Sequence, residues 1–185
     1  MYMLETLPLT RIGNPLLREK ARTLSVTEVQ SPEIQSLIEH MRYTLEKESY
    51  GVGIAAPQVG RSVALSVVGI KPTPNRPDLE LFNTVLINPE IIEAIGKPIP
   101  KWEACISCGE GVNLLYAQVP RFEEVKLRWL DETGKSREEI LSGFVAHVAQ
   151  HETDHLNGIM FVDRVTDTST YMLADEYRAR IVTET

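Results

Sequence analysis

The run His151–Glu152–Thr153–Asp154–His155 constrains this chain more than any other feature of its sequence. Its surroundings carry helical periodicity. Phe144, Val145, Val148, Ala149 and Leu156 supply an apolar side, the pattern begins after Ser142, and Asn157–Gly158 is a C-terminal stop signal. Four residues advance an α-helix by about 400°, so the two imidazoles point within about 40° of each other, about 6 Å apart along the axis. Both can then reach one divalent cation. Glu152 is rotated away from His151 and can approach a water on that cation without being a ligand. Two neutral ligands and a carboxylate base beside a water are what metal-assisted hydrolysis requires. The alternative without a metal is two core or surface histidines that happen to stand four apart.

His147 extends the series, but a straight helix puts it about 12 Å from His155, so one metal cannot take both. It is expected beside the ligands or partly exposed. His40, next to an apolar helical stripe, reads as a satisfied structural histidine. Two histidines leave a catalytic site one protein ligand short. Candidates are Cys105, Cys108 or a carboxylate. The segment Glu103–Cys108 follows Trp102 without helical periodicity, and if it is extended, the two thiols point to opposite faces and only one reaches the metal. A closed Cys2His2 structural zinc site, and hence a binding module, is the competing arrangement. However, the stretch from Cys108 to His151 far exceeds finger spacing, and a glutamate within the histidine pair is unneeded there.

At 185 residues the chain has the size of one domain, residues 1–185. Its 43 % apolar and 24 % charged residues exclude a disordered or collagen-like chain. Nineteen basic against 26 acidic residues give a net charge of −7, and no basic run exceeds two, so no nucleic-acid footprint is visible. No apolar run approaches the roughly 18–20 residues of a membrane span, and the start lacks a signal-peptide pattern. Two cysteines make no disulfide scaffold, and the compartment reads as cytoplasmic.

The remaining pattern predicts α+β architecture, with antiparallel strands packed around a central helix that carries the H-E-x-x-H motif. A first helix spans about Pro32–Glu48, capped by Ser31, with Ile34, Leu37, Ile38, Met41 and Leu45 as its stripe. Strands are expected at Val63–Ile70, Val85–Ile87 and Val125–Trp129. The last turns at Asp131–Gly134 and returns to about Leu141. Lys71–Pro77 reads as a proline-rich loop, and a short C-terminal helix is expected at about 171–181.

A third element is Gly51–Val52–Gly53–Ile54–Ala55–Ala56–Pro57–Gln58, whose small residues allow close approach to backbone and whose glutamine offers two N–H donors. With Glu103–Ala104–Cys105–Ile106–Ser107 and Gln150–Gly158, in that order, it resembles the peptide deformylases. Arg11–Arg18 and Leu86–Ile91 are similar to the family's opening and middle strand, and the resemblance covers about residues 10–166. It implies removal of the formyl group from the N-terminal formylmethionine of nascent polypeptides, with ribosome association as a further implication. By position, Cys105, His151 and His155 would bind one divalent metal, natively iron(II), with zinc or nickel as replacements. Glu152 would be general base and then proton donor to the amine. Gln58 and the backbone N–H of Ile106 would stabilise the oxyanion, and backbone groups at Gly53 and Ile54 would align the peptide like an added strand. The chain departs from the family in Ala104, which replaces glycine and predicts a methyl group in a crowded turn. It also has Cys108 and Gly109 for an apolar residue and proline, and no Arg or Lys from 109 to 119. Another H-E-x-x-H metallohydrolase, such as a peptidase with a carboxylate ligand, is the enzymatic alternative.

Overall fold

A computed structural model describes residues 4–48, 51–72 and 77–182. Two antiparallel sheets form the frame. The larger contains β1 (Gly53–Ala55), β2 (Leu65–Ile70), β3 (Phe82–Ile95), β6 (Glu124–Leu130) and β7 (Ser136–Ser142), in the order β1-β2-β3-β6-β7. The smaller contains β4 (Ile99–Ala104), β5 (Leu115–Arg121) and β8 (Met172–Leu173), in that order. The helices are α1 (Val26–Val29), α2 (Pro32–Lys47), α3 (Gly143–Leu156), α4 (Phe161–Arg164) and α5 (Ala174–Tyr177).

The large sheet lies between α2 and α3, and the two-residue period of its strands assigns each side chain to a helix. Leu65 and Val67 of β2, with Val85 and Ile87 of β3, join the α2 stripe of Ile34, Leu37, Ile38, Met41 and Leu45. Val68, Ile70 and Leu86 face the other way, joining Val125, Leu127 and Trp129 of β6 and Ala146, Val148 and Ala149 of α3. This is why β2 reads as an unbroken apolar run, whereas β6 alternates with Lys126 and Arg128. Two apolar faces are covered in one case and one in the other.

Several observed elements extend the sequence pattern, although β2 begins at Leu65 and not at Val63, which forms only an isolated bridge with Arg22. Strand β3 runs through Asn88–Pro89, where the pattern broke after Ile87. Asn88 adopts a φ of 49°, and the pairing with β6 shifts register between Ile87 and Glu90. The Asn88 amide bonds both backbone groups of Leu24, at 2.9 and 2.7 Å, which holds this bend. Strands β4 and β5 form where the sequence shows no clean alternation. Near the C-terminus, residues 172–173 are strand and helix begins only at Ala174, passing into a π-helical turn at Arg178–Val182. Of the proline-rich loop, 73–76 lie outside the described residues, and Lys71 and Pro72 are exposed.

Helix α3 ends in a Schellman motif. Ile159 N–H bonds the Asp154 carbonyl at 3.0 Å and Gly158 N–H bonds that of His155 at 3.2 Å. Gly158 has φ +72°, and a Cβ there would come within 2.6 Å of the Arg18 carbonyl oxygen. The motif thus fixes the histidine-bearing end of the helix against the N-terminal segment.

Candidate active site

Helix α3 and the turn after β4 meet in a cleft of about 170 Å³ that also touches Gly51–Gly53 and Gln58. An open groove of about 800 Å³ along the outer side of α2 is larger, but it is lined by residues such as Leu4, Ser36, His40 and Tyr43, and no metal-ligand cluster among the described residues lies there. Chemistry, not volume, selects the smaller cleft.

The Nε2 atoms of His151 and His155 lie 3.1 Å apart, and His155 Nε2 is 3.2 Å from Cys105 Sγ. One ligand atom from each of the three residues falls within 4.8 Å of the others. Metal–nitrogen bonds of about 2.0–2.1 Å and a metal–sulfur bond of about 2.3 Å require tetrahedral edges of about 3.3–3.6 Å. Two of the three edges thus lie within a few tenths of an ångström of what one ion needs, the third is no longer than 4.8 Å, and one thiolate with two imidazoles suits zinc or iron(II).

Cys108 is not in this group. Residues 105–108 form a turn closed by Cys108 N–H on the Cys105 carbonyl at 2.8 Å, not the extended segment that opposite faces would require. The Cys108 side chain packs with Leu17, Ala117, Met160 and Phe161. Burial opposes ionisation of Cys105, but a hydrogen bond from the Cys108 thiol and the neighbouring His155 and His151 outweigh it and hold the Cys105 thiol well below its ordinary range. The same hydrogen bond, then burial, pushes Cys108 up. Ala104, for its part, closes β4 opposite Tyr116 and does not enter the turn.

Behind the histidines lies a buried ionic network. Glu103 accepts from His151 Nδ1 at 2.6 Å and from His147 Nε2 at 2.7 Å. Arg121 grips the same carboxylate through Nε and Nη2, at 2.9 and 2.8 Å, and reaches Asp154 through Nη1 at 2.6 Å. Arg164 completes the set on Asp154 at 2.7 Å. With Nδ1 engaged by Glu103, His151 presents Nε2 to the ligand cluster. Burial opposes the Glu103 charge, but His151 and the bonds from His147, His151 and Arg121 hold its carboxyl well below the usual range. Burial likewise opposes a charge on His151, and Glu103 and Cys105 more than reverse this. His147 thus supports a partner of the cluster. Arg121 and Asp154, whose contact joins β5 to α3 behind the histidines, carry no signal in the sequence.

Glu152 is buried, and burial pushes its carboxyl up to about 7, against the lowering influence of His151 and His155. Its Oε2 has no hydrogen-bond partner among the described residues. A Cβ on Gly53 would stand 2.3 Å from Glu152 Oε1, so only glycine admits the carboxylate there. Gln58 accepts from Ala55 N–H at 2.8 Å, and its Nε2 donates to Ser107 Oγ at 3.1 Å and to Cys105 Sγ at 3.4 Å. The N-terminal segment ties these loops together. Thr10 N–H bonds the Gln58 carbonyl at 2.7 Å, Ile12 N–H bonds that of Ser107 at 2.8 Å, and Arg11 bonds that of Ile106 at 2.7 Å. Ile54 is fully buried in β1, whose register with β2 leaves its other edge unpaired in the sheet.

This arrangement belongs to a known lineage. The family model of the polypeptide deformylases matches residues 6–171. The chain belongs to the peptide deformylase family. Peptide deformylase 2 of a Nostoc species is 36 % identical over 182 residues, covering 98 % of both chains. The Aquifex aeolicus peptide deformylase is 39 % identical, covering 89 % of this chain and 90 % of its own. Among solved structures, a Met-Ala-Ser-bound class I type b peptide deformylase from Acinetobacter baumannii superposes with a TM-score of 0.80. That match is at 36 % identity and covers 88 % of this chain and all of the other. Deformylases are metal-dependent hydrolases, and the Cys105–His151–His155 group is where this member can hold an ion. No helix among the described residues is long and apolar enough to cross a membrane.

Proposed function

We propose that this chain removes the formyl group from N-formylmethionyl peptides, using one divalent metal held by Cys105, His151 and His155. The observation that carries this reading is the buried thiolate–imidazole–imidazole cluster beside an unpartnered Glu152, in a chain of the deformylase family. A bound divalent ion supplies Lewis acidity and makes a water nucleophilic near neutral pH. Iron(II) is the proposed native ion, with zinc and nickel as substitutes.

The protein's own groups then divide the work. Glu152 takes the proton of the attacking water and returns it to the departing amine, a role suited to a carboxylate that burial brings towards neutral pH. Gln58 turns the N–H of its longer contact, 3.4 Å on Cys105, towards the developing oxyanion, and the Ile106 N–H joins it. The Arg11 bond to the Ile106 carbonyl and the Gln58 bond to Ala55 N–H hold both donors in orientation before substrate arrives. Gly53 and Ile54 offer the unpaired edge of β1 to an extended peptide, and the same Gly53 leaves the space that Glu152 occupies.

On this reading residues 1–185 are one catalytic domain that acts in the cytoplasm on nascent chains, in the neighbourhood of the ribosome. The test is deformylation of formyl-Met-Ala-Ser by protein purified without oxygen, with metal counted alongside. Turnover that scales with bound metal and vanishes on chelation is expected. A fully metal-loaded protein that leaves the formyl group intact but cleaves internal peptide bonds would replace this reading with a peptidase.

A further inference from the structure

The cleft has a wall to which the three motifs contribute only Ala104. Trp102 and Ala104 alternate on one face of β4, and Ala104 stands opposite Tyr116 of β5, so all three share that face. Tyr177 of α5 lies flat on Tyr116, with ring centroids 4.1 Å apart and planes at 6°. It also meets Trp102 edge-on, at 5.4 Å and 63°. The three rings border the same cleft as Cys105, His151 and Glu152. Each is only half-buried, unlike the aromatic side chain Phe161, which is fully enclosed.

Tyr177 comes from beyond residue 171, where the family match ends. Strand β8 brings it there. Leu173 and Met172 pair with Leu115 and Tyr116, and Ala174 is buried behind them. The C-terminal segment thus adds a strand to the small sheet and then lays a ring over the cleft's border.

Strands β1 and β4 are edge strands of their two sheets, and both touch the cleft. An extended peptide between them advances about 3.3 Å per residue. Trp102 lies three positions before Cys105, roughly 10 Å back along the chain. With the formyl carbon at the ligand cluster, that distance corresponds to the second or third residue of the substrate. No Lys or Arg occurs from 109 to 119 to hold the peptide by charge, and the surface offered is aromatic.

We infer that Trp102, Tyr116 and Tyr177 form a specificity wall for the substrate side chains that follow formylmethionine, and that Tyr177 makes an aromatic residue preferred there. The inference rests on the deformylase reading above. The test compares kcat and KM for formyl-Met-Ala-Ser, formyl-Met-Phe-Ser and formyl-Met-Ala-Phe with metal-loaded wild type, Tyr177→Ala and Tyr177→Phe. Wild type should favour at least one phenylalanine peptide roughly three- to tenfold in kcat/KM, mainly through KM, as expected for one aromatic contact. Tyr177→Ala should bring the three peptides within about twofold of one another. Tyr177→Phe, which keeps the ring, should retain the preference. If Tyr177→Ala does not fold, Tyr177→Leu removes the flat ring but keeps apolar bulk, and should show the same loss. Equal processing of all three peptides by wild type would overturn the inference. So would a Tyr177→Ala protein of lower Tm whose preference is unchanged, because the ring would then only anchor the C-terminal segment. Absence of any deformylation by wild type is a separate result, and defeats the deformylase reading together with the wall built on it.

Discussion

Helices α2 and α3 lie on opposite faces of one sheet and are held by different physics. Helix α2 buries a single stripe, Ile34 to Leu45, and exposes Glu33, Ser36, Glu39 and Glu46. Helix α3 is buried on nearly every side, and among its buried residues are His147, Gln150, Glu152, Thr153, Asp154 and His155. One helix needs mainly apolar residues of suitable volume at helical spacing, with Thr44, which accepts from Leu7 N–H at 2.8 Å, as its buried polar residue. The other needs named partners: Glu103 for His147 and His151, Arg121 and Arg164 for Asp154, and the Phe122 backbone for Gln150. Apolar packing sets the position of the active-site helix on its sheet face only, and the ionic network fixes the face that carries the ligands.

The comparison breaks most sharply at Arg121. Arg121→Ala leaves the buried Glu103 with only His147 and His151, and Asp154 with only Arg164, and should cost about 3–5 kcal/mol of stability. It should also weaken metal binding about 10- to 100-fold, because the carboxylate that orients His151 loses its own anchor. Thermal denaturation and a metal competition titration measure the two effects. A variant that melts like wild type and binds metal as tightly would leave the network without a role.

Met41→Ala is the matching lesion in α2. It opens a cavity where the side chain is fully enclosed and should cost about 2–5 kcal/mol. Metal affinity and kcat at a temperature where the variant stays folded should match wild type, since Met41 neither lines the cleft nor belongs to the ligand cluster. Loss of metal in this variant would mean that the two helices are coupled through the sheet.

The helix ends give smaller effects. Gly158→Ala forces a side chain into φ +72° and against Arg18, and should destabilise by about 1–3 kcal/mol in a denaturant titration. Ser31→Ala removes an N-cap acceptor from the Ile34 N–H and should cost about 1 kcal/mol by the same measurement. The reverse order would show that the Schellman end of α3 is the less constrained of the two.

The same division decides what could be read from the sequence. The stripe of α2, the alternation of β6 and the stop at Asn157–Gly158 are local patterns, and the structure contains each. The positions of Cys105, His151 and His155 were legible because ligand spacing on a helix and three ordered motifs leave local marks. Arg121 and Asp154 left none, because their contact joins residues far apart in the chain. Strand β5 carries Pro120, and β4 begins Ile99–Pro100, so neither shows clean alternation. Tyr177 gains its meaning only from the pairing of β8 with β5.

The central claim is that Glu152, packed against Gly53 beside the ligand cluster, moves the proton. Glu152→Ala leaves Cys105, His151 and His155 in place, so it should still bind one metal per chain. Turnover of formyl-Met-Ala-Ser should fall by about 10²–10⁴ or more, in kcat far more than in KM. Glu152→Gln, which keeps the shape but cannot accept the proton, should behave alike. A metal-loaded Glu152→Ala protein that turns over at a near-normal rate would contradict the account.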